Sequence, residues 1–257
     1  MLANSIEQVI EKLQEIINES EDQMSPIGYF AALYQKVTER VKQGIADKYF
    51  DDNERMERLD VVFANRYLEA YYAYQAGKPC SKCWELAFEA TRSRKLIVLQ
   101  HLFLGMNAHI NLDLGIASAQ IAPGEQIKAL EGDFMKINEI LSVLVNGVQD
   151  ELARIWPMLK YLDRLAGKSD EALAAFSMGI ARDGAWRVAK EAADLSGNEL
   201  QQYINQKDRK VDKFGRLIYN PGFFLRSVVW FIRIMEKGTV ARKIRILDGY
   251  TSQNASK

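Results

Sequence analysis

Apolar residues recur every three or four positions along most of the chain, which is the spacing typical of amphipathic α-helices. Segments with this spacing fall at 2–20 and at about 27–46, 54–76, 95–118, 133–146, 169–195 and 222–237. No repeat of roughly 20–50 residues and no Gly/Ser-rich linker divides the chain. The pattern therefore predicts an all-α fold. We expect a single multi-helix, bundle-like domain over residues 1–250 and a flexible polar tail at 251–257.

One stretch departs from the helical spacing. Residues 208–222 read DRKVDKFGRLIYNPG and combine charged positions with Gly215 and a final Pro-Gly pair. A glycine in such a stretch is typical of a turn. We therefore predict a small hairpin or lid near 207–221.

The charge of the chain limits its partners. The 34 basic and 34 acidic residues give a formal net charge of 0 at pH 7. A nucleic-acid-binding domain normally carries a basic excess, so the sequence argues against nucleic acid as a partner. The expected partner is a small molecule. The apolar face of the N-terminal segment is also a candidate homodimer surface.

The apolar runs are too short to cross a membrane. No run of about 18 apolar residues occurs, so we predict no transmembrane span. The N-terminus lacks a basic stretch followed by an apolar core, which favours the cytoplasm over secretion. The most apolar late stretch, residues 223–235, contains Arg226 and Arg233. A packed helix whose arginines reach solvent is the favoured interpretation, and a helix on a membrane surface is the alternative.

The two cysteines, Cys80 and Cys83, form a C-x-x-C pair at the start of a predicted helix. Such a pair is typical of half a zinc site or of a redox site. No second pair completes a four-ligand zinc site, and no βαβ pattern surrounds it. A helix start would stabilise a thiolate. Two reduced thiols are the favoured interpretation, and an intermolecular zinc site or a redox role stays open.

The helix predicted at about 95–118 is apolar on every side, which indicates a buried central helix. It nevertheless carries several polar residues. At about 100° per residue, Gln100, Asn107 and Asn111 share one stripe. His101, His109 and Asp113 fall on another side. An unpartnered buried polar group costs about 1–3 kcal/mol, so we expect these residues to have partners.

Other predicted helices offer partners at positions where their spacing predicts core. Asp60, Arg66, Asp133 and Arg182 are charges in or beside apolar stripes. We predict one shared polar interior built from these residues with His109 and Asp113. The candidate site residues are Asp60, Arg66, Tyr67, His101, Asn107, His109, Asn111, Asp113, Asp133, Asn138, Arg182 and Trp186.

Three interpretations of this cluster stay open. The favoured one is a structural network of ion pairs and hydrogen bonds, in which each member needs a partner. The second is a pocket for a small polar or anionic ligand. The third is a divalent metal site, because the spacing of His109 and Asp113 places two ligands on one helical face. No cofactor is otherwise indicated.

Several blocks resemble a known family. The blocks GYFAALYQKVTERVKQGI, RMERLDVVFANRYLEAYYAY, CWELAFEA and LGMNAHINLDLG are together similar to the domain-of-unknown-function family 5995, which consists of uncharacterised bacterial proteins. The similarity extends over residues 27–190, and the Asn-Ala-His-Ile-Asn block is its most specific part. The resemblance implies an α-helical protein without an established activity.

Two classes of function follow from these observations. The favoured one is a structural protein, or one that binds a small polar or anionic ligand without catalysis. The alternative is a metal-dependent hydrolase of phosphoester or ester bonds, with His109 as general base and Arg66 and Arg182 holding an anionic substrate. None of the common catalytic or nucleotide-binding motifs occurs, so the sequence supports no named chemistry.

Overall fold

The computed structural model describes residues 2–137, 140, 154–155 and 178–249. Within these residues every regular element is a helix, which confirms the predicted all-α fold. Asn138, the predicted helical segments within 141–177 and the tail at 251–257 lie outside the described residues.

The helices predicted at 2–20, 27–46, 54–76, 95–118 and 222–237 are present within about four residues of the predicted bounds. The described helices are α1 (Ile6–Asp22), α2 (Ile27–Ala46), α3 (Asn53–Gln75), α4 (Lys82–Ala90), α5 (Val98–Ala108), a π-helical turn (His109–Leu114), α6 (Gly115–Ile121), a 3-10 turn (Gly124–Gln126), α7 (127–137), α8 (Met178–Ala193), α9 (Gly197–Tyr219), α10 (Phe223–Met235) and α11 (Val240–Asp248).

Side-chain caps fix several of the helix starts. Ser5 accepts a hydrogen bond from the backbone N–H of Gln8 at the start of α1. Asp52 does the same for Arg55 at the start of α3. These side chains satisfy N–H groups that have no partner inside the helix.

The apolar face of α1 is buried inside the chain. It packs against α2, α3 and α11, and its buried residues include Val9, Leu13, Ile16 and Ile17. This face is therefore part of the core, so it does not offer the dimer surface that its pattern suggested.

The predicted central helix is continuous from α5 through the π turn to α6. It begins at Val98, three residues after the predicted start. Its neighbours are α2, α3, α4, α8 and α9, so it is enclosed on all sides. Leu102, Leu104 and Leu112 are each 1% exposed or less, which explains the absence of a polar face.

The predicted hairpin or lid near 207–221 is wrong. Residues 207–219 belong to α9, a single helix that ends at Tyr219. Gly215 makes no turn but allows close packing, because a Cβ at this position would lie 2.9 Å from Leu86 Cδ2. The charged residues of the stretch misled the prediction, since Asp208 and Asp212 lie on the buried face of the helix.

The stripe of Gln100, Asn107 and Asn111 binds the backbone of α9. Gln100 Nε2 donates to the carbonyl of Ile218 at 2.8 Å, and Asn107 Nδ2 donates to that of Val211 at 3.0 Å. Asn111 Nδ2 in turn donates to Asn107 Oδ1 at 2.9 Å. Both helices use positions seven residues apart, so the side chains fix the register of two antiparallel helices.

Among the described helices, none is both long and apolar enough to cross a membrane. The strongly apolar helix α10 has 13 residues. Its inner side packs on the segment before α5 through Ile232 and Ile97.

Candidate functional site

Asp113 is the centre of the buried polar cluster. Its Oδ1 accepts a hydrogen bond from Arg66 Nε on α3 at 2.8 Å. Its Oδ2 accepts one from Trp84 Nε1 on α4 at 2.8 Å and lies 3.3 Å from His109 Nδ1. The side chain is 2% exposed, so this carboxylate joins three helices inside the core.

These partners keep Asp113 ionised. Burial alone would raise its pKa, but Arg66, His109 and Trp84 together bring the pKa below its ordinary value. Three donors around one carboxylate are typical of a charge that is stable inside a protein. Arg66 remains partly exposed, so the positive member of the ion pair lies towards the protein surface.

His109 is neutral, and only one of its two ring nitrogens has a hydrogen-bond partner. Burial lowers its pKa, and Asp113 offsets this only in part. A neutral ring next to a carboxylate donates from Nδ1, which leaves the buried Nε2 as an acceptor without a partner. Five aromatic rings surround the imidazole, with Phe63 stacked on it at 3.6 Å between ring centroids and Tyr34 at 4.4 Å.

The His109–Leu114 segment forms a π-helical turn, which the sequence pattern did not reveal. A π turn holds one more residue than an α turn and is often found at functional sites. Here it coincides with the HINLDL part of the family-like block. His109 and Asp113 therefore meet in a wider turn than the regular α-helix from which their proximity was predicted.

A small cleft lies beside this cluster, among α2, α4 and α5. It is partly open to solvent, and the cavity volume of about 20 Å³ is enough for a single water molecule. We call it the His101 cleft. Its lining includes Phe30, Tyr67, Trp84, Thr91, His101 and Gly105.

Two side chains of the His101 cleft have polar atoms without partners. These are His101 Nδ1 and the Tyr67 hydroxyl, both buried. Burial and the charges of Lys243 and Arg233 lower the pKa of His101 to about 4, so the ring is neutral at pH 7. Burial raises the pKa of Tyr67 far above its ordinary value, so its hydroxyl stays protonated.

The cleft and the His109 cluster share one aromatic wall. Phe30, Tyr67 and Trp84 line the cleft, and the same rings contact the imidazole of His109. His109 itself does not line the cleft. His101 and Tyr67 therefore belong to the lining of the cleft, whereas the shared rings stand between the cleft and His109.

Asp60 lies in the core but outside the hydrogen bonds of Asp113. Burial, with a contribution from Glu57, raises the pKa of Asp60 to about 8, so it is largely protonated at neutral pH. Its Oδ2 has no partner. Asp60 contributes to the raised pKa of Tyr34, whose buried hydroxyl is also without a partner.

Asp133 belongs to a different polar group. It accepts hydrogen bonds from the backbone N–H groups of Asp51 and Asp52 at 2.6 and 3.1 Å. Arg55 Nη2 donates to it at 2.8 Å. Asp133 therefore caps the start of α3 from α7, and its predicted place in a shared polar interior with His109 is wrong.

Arg182 and Trp186 also lie apart from His109. Arg182 Nη2 donates to the carbonyl of Phe134 at 2.6 Å, and its guanidinium lies 4.6 Å from the centre of the Phe134 ring. Trp186 Nε1 donates to Glu131 at 3.0 Å. The predicted shared interior is thus divided among four places: Asp60 lies by itself, Asp133 of α7 binds the start of α3, and Arg182 of α8 binds the backbone of α7, all apart from the Arg66–Asp113–His109 group.

The two expected metal ligands, His109 and Asp113, do lie together. Within the described part of the chain, however, no group of three or more His, Cys, Asp or Glu side chains is placed to hold a metal ion. The other oxygen of Asp113 is bound to Arg66, a cation. The residues around His109 thus fit a hydrogen-bonded pair better than a coordination shell.

The cysteines are free thiols, and neither is activated by the helix start. Burial and the carboxylate of Asp208 raise the pKa of Cys83. Asp208 accepts hydrogen bonds from the backbone N–H groups of Lys82 and Cys83 at 2.8 and 3.0 Å. This acid from α9 occupies the place where a thiolate would be stabilised, and sequence reasoning missed it because it lies 125 residues away.

The fold and the cluster define a class: a helical protein whose central helix carries a buried Asp–His pair at a π turn, with an arginine from a neighbouring helix bound to the aspartate. Residues 6–221 match the family of unknown function DUF5995, so the chain belongs to this family and the resemblance is confirmed. No curated protein and no solved structure matches the chain.

Proposed function

We propose that the protein binds a small, uncharged polar ligand in the His101 cleft. The observation that supports this function is that His101 and Tyr67, each with a buried polar atom that has no partner, are both lining residues of one cleft that is partly open to solvent. Unpartnered buried polar groups cost about 1–3 kcal/mol each, so a bound molecule that satisfies both is stabilising.

The charges of the site favour an uncharged ligand. His101 is neutral, and Tyr67 is protonated. Arg66, expected to hold an anion, is occupied by Asp113. Arg182 lies in a different group of residues. A hydroxyl group can both donate and accept, which matches a neutral imidazole beside a phenol.

The size of the cleft limits which part of the ligand enters. A volume of about 20 Å³ admits one hydroxyl group or the NH₂ end of an amide, each about the size of a water molecule. The remainder of the molecule would lie in the open mouth, near Pro26 and Thr91. Apolar rings line the rest of the cleft, as in most small-molecule sites.

The His109 cluster supports this site as a structural element. His109 is walled off by the rings that line the cleft, and its partner Asp113 connects α3 and α4 to the central helix. A base that substrate cannot reach does not act in catalysis without a rearrangement. The hydrolase alternative draws no support from the described residues.

The test uses the histidine ring signals in NMR. The chain has two histidines, so a His109→Gln variant assigns the His101 ring nitrogens. We expect titration with 1,2-propanediol or acetamide to shift the His101 signals and leave those of His109 in place. A Tyr67→Phe variant should lose this response.

Tyr34→Phe is the matched control. It removes another buried hydroxyl without a partner, but one that does not line the cleft. If neither probe shifts His101, and if Tyr67→Phe is as stable as Tyr34→Phe, the cleft is a void and the proposal fails.

A further inference from the structure

The outer side of α10 is an exposed apolar surface. Phe223 is 87% exposed, Trp230 64%, Phe231 50% and Ile234 63%. We call these four residues the α10 outer face. They recur at helical spacing, so they lie together on one side of the helix. Exposed apolar patches with a polar border mark sites that bind a protein or a membrane.

The exposed face is not explained by packing within the described chain. The opposite side of α10 makes the contact, with Ile232 buried against Ile97 and partly buried Val228 and Val229 beside them. A helix with one packed side normally presents polar residues to water. Here both sides are apolar, and the second side has no partner among the described residues.

Unpaired arginines border this face. Arg226 Nη2 donates to the side-chain oxygen of Asn220, and Arg233 Nε donates to the carbonyl of Arg94. In the described part of the chain, neither forms an ion pair with a carboxylate. Both charges are therefore free to attract an anionic partner.

The charge around α10 is basic although the chain as a whole is neutral. Between Lys207 and Arg245, lysines and arginines far outnumber aspartates and glutamates, whereas the net charge of the full chain is 0. The segment also lies mostly beyond residues 6–221, which match the family. The excess of basic residues is thus a local property of the C-terminal part of the sequence.

We propose that the α10 outer face binds the surface of a membrane that contains anionic lipids, with the helix lying flat. Tryptophan and phenylalanine are favoured at the boundary between head groups and acyl chains. Arginines beside them are attracted by anionic head groups. A helix of 13 residues is too short to span the bilayer, so it stays at the surface.

A second copy of the chain fits this face less well. Symmetric packing through the same surface would bring Arg226 and Arg233 of both copies to one interface, with no carboxylate to pair them. An anionic bilayer supplies the missing negative charge. The charge distribution therefore favours lipid over self-association.

Co-sedimentation with vesicles tests the proposal. We expect the protein to bind vesicles of phosphatidylcholine mixed with phosphatidylglycerol, and to bind phosphatidylcholine vesicles much more weakly. Raising the salt from about 0.1 M to about 1 M should weaken binding, because it screens the attraction. Trp230→Ser should reduce partitioning at least about ten-fold, and Arg226→Glu at least about five-fold.

The controls make the same changes elsewhere on the surface. Met24→Ser removes an apolar side chain that is 53% exposed, and Arg58→Glu reverses the charge of an exposed arginine on α3. Both should bind like the wild type. Equal binding to neutral and anionic vesicles, or no binding at all, overturns the proposal. A dimer in sedimentation equilibrium that Trp230→Ser dissociates also overturns it, since a second copy would then cover the face.

Discussion

Arg66 on α3 and Asp113 in the π turn are joined by a 2.8 Å hydrogen bond between Nε and Oδ1, and the carboxylate is almost wholly buried. Replacing Asp113 with Asn leaves the arginine without its counter-charge and weakens the bonds to His109 and Trp84. We expect a loss of about 3–5 kcal/mol in the free energy of unfolding, measured by urea denaturation.

The matched variant is Arg66→Met. It removes the other charge but keeps much of the apolar stem, and it leaves Asp113 with Trp84 and His109 as partners. A double-mutant cycle then gives the coupling between the two residues. Additive effects of the two substitutions would show that the ion pair adds nothing to stability.

Asp60 predicts a stability that falls as the pH rises. Its pKa is raised from an ordinary 3.8 to about 8, so the folded protein retains a proton that the unfolded chain releases between these values. The contribution of neutral Asp60 to the free energy of unfolding is therefore complete below about pH 4 and is lost as the pH rises towards 8.

An Asp60→Asn variant should remove this penalty. We expect it to be a few kcal/mol more stable than the wild type at pH 8, with the difference shrinking towards pH 4. Urea denaturation at several pH values measures this. A variant that is less stable than the wild type throughout the range would mean that the carboxylate is well solvated or paired.

His101 predicts the opposite slope in mildly acidic solution. Its pKa falls from an ordinary 6.5 to about 4, so the unfolded chain binds a proton that the folded protein excludes. Stability is therefore lost as the pH falls from 6.5 to about 4, by about 3 kcal/mol. His101→Gln should show a smaller loss over this window. Parallel curves for the two proteins would contradict the burial of a neutral ring.

Asp208 should matter through the start of α4. Its carboxylate accepts two backbone N–H bonds there, whereas the local cap residue Ser81 makes no side-chain cap. We expect Asp208→Asn to lower the free energy of unfolding by about 1–2 kcal/mol, measured by thermal denaturation. Asp212→Asn on the same helix is the control, because among the described residues the Asp212 carboxylate pairs with the largely exposed Arg216 and accepts no bond from a helix start. Equal losses in both variants would deny the capping role.

Gly215 and Gly184 should respond in opposite directions to alanine. A Cβ at Gly215 would lie 2.9 Å from Leu86 and 3.2 Å from Asn107, whereas a Cβ at Gly184 would meet nothing within 4 Å. Gly215→Ala should destabilise by about 1–3 kcal/mol through overpacking. Gly184→Ala should stabilise by about 0.5–1 kcal/mol, because alanine is the better helix former. Melting temperatures of the two variants check both signs.

Sequence reasoning predicted the helices well and their polar contacts only in part. Apolar spacing depends on neighbouring residues, so it located the buried central helix and the stripe of Gln100 and Asn107. The prediction was wrong at 207–221 because the charged residues there were interpreted as a solvent-exposed segment. Asp208 and Asp212 face inward there, and the partners of Asp208 are N–H groups distant in sequence.

The contacts of the candidate site were likewise predicted where they depend on local spacing and missed where they depend on helix packing. His109 and Asp113 are four residues apart, so local geometry brought them together, and an unpaired Asp113 charge called for a cation such as Arg66. The separation of Asp133 and Arg182 from them depends on how α7 and α8 pack. Periodicity within single helices carries no information about that packing, nor about Trp84 as a donor to Asp113.

Because of the π turn, the arrangement of the polar residues in the central helix depends on how many residues the turn contains. A π turn of this kind holds one residue more than the α-helix around it. Deleting Ile110 would let the segment return to an α-helix with α5 and α6 in nearly their present orientation, because the wider turn accommodates the extra residue. Gly115 would keep its close contact with the backbone of Ala185, but His109 and Asp113 would be three residues apart instead of four, which changes the geometry of their contact. In this block, the number of residues matters as much as their identity.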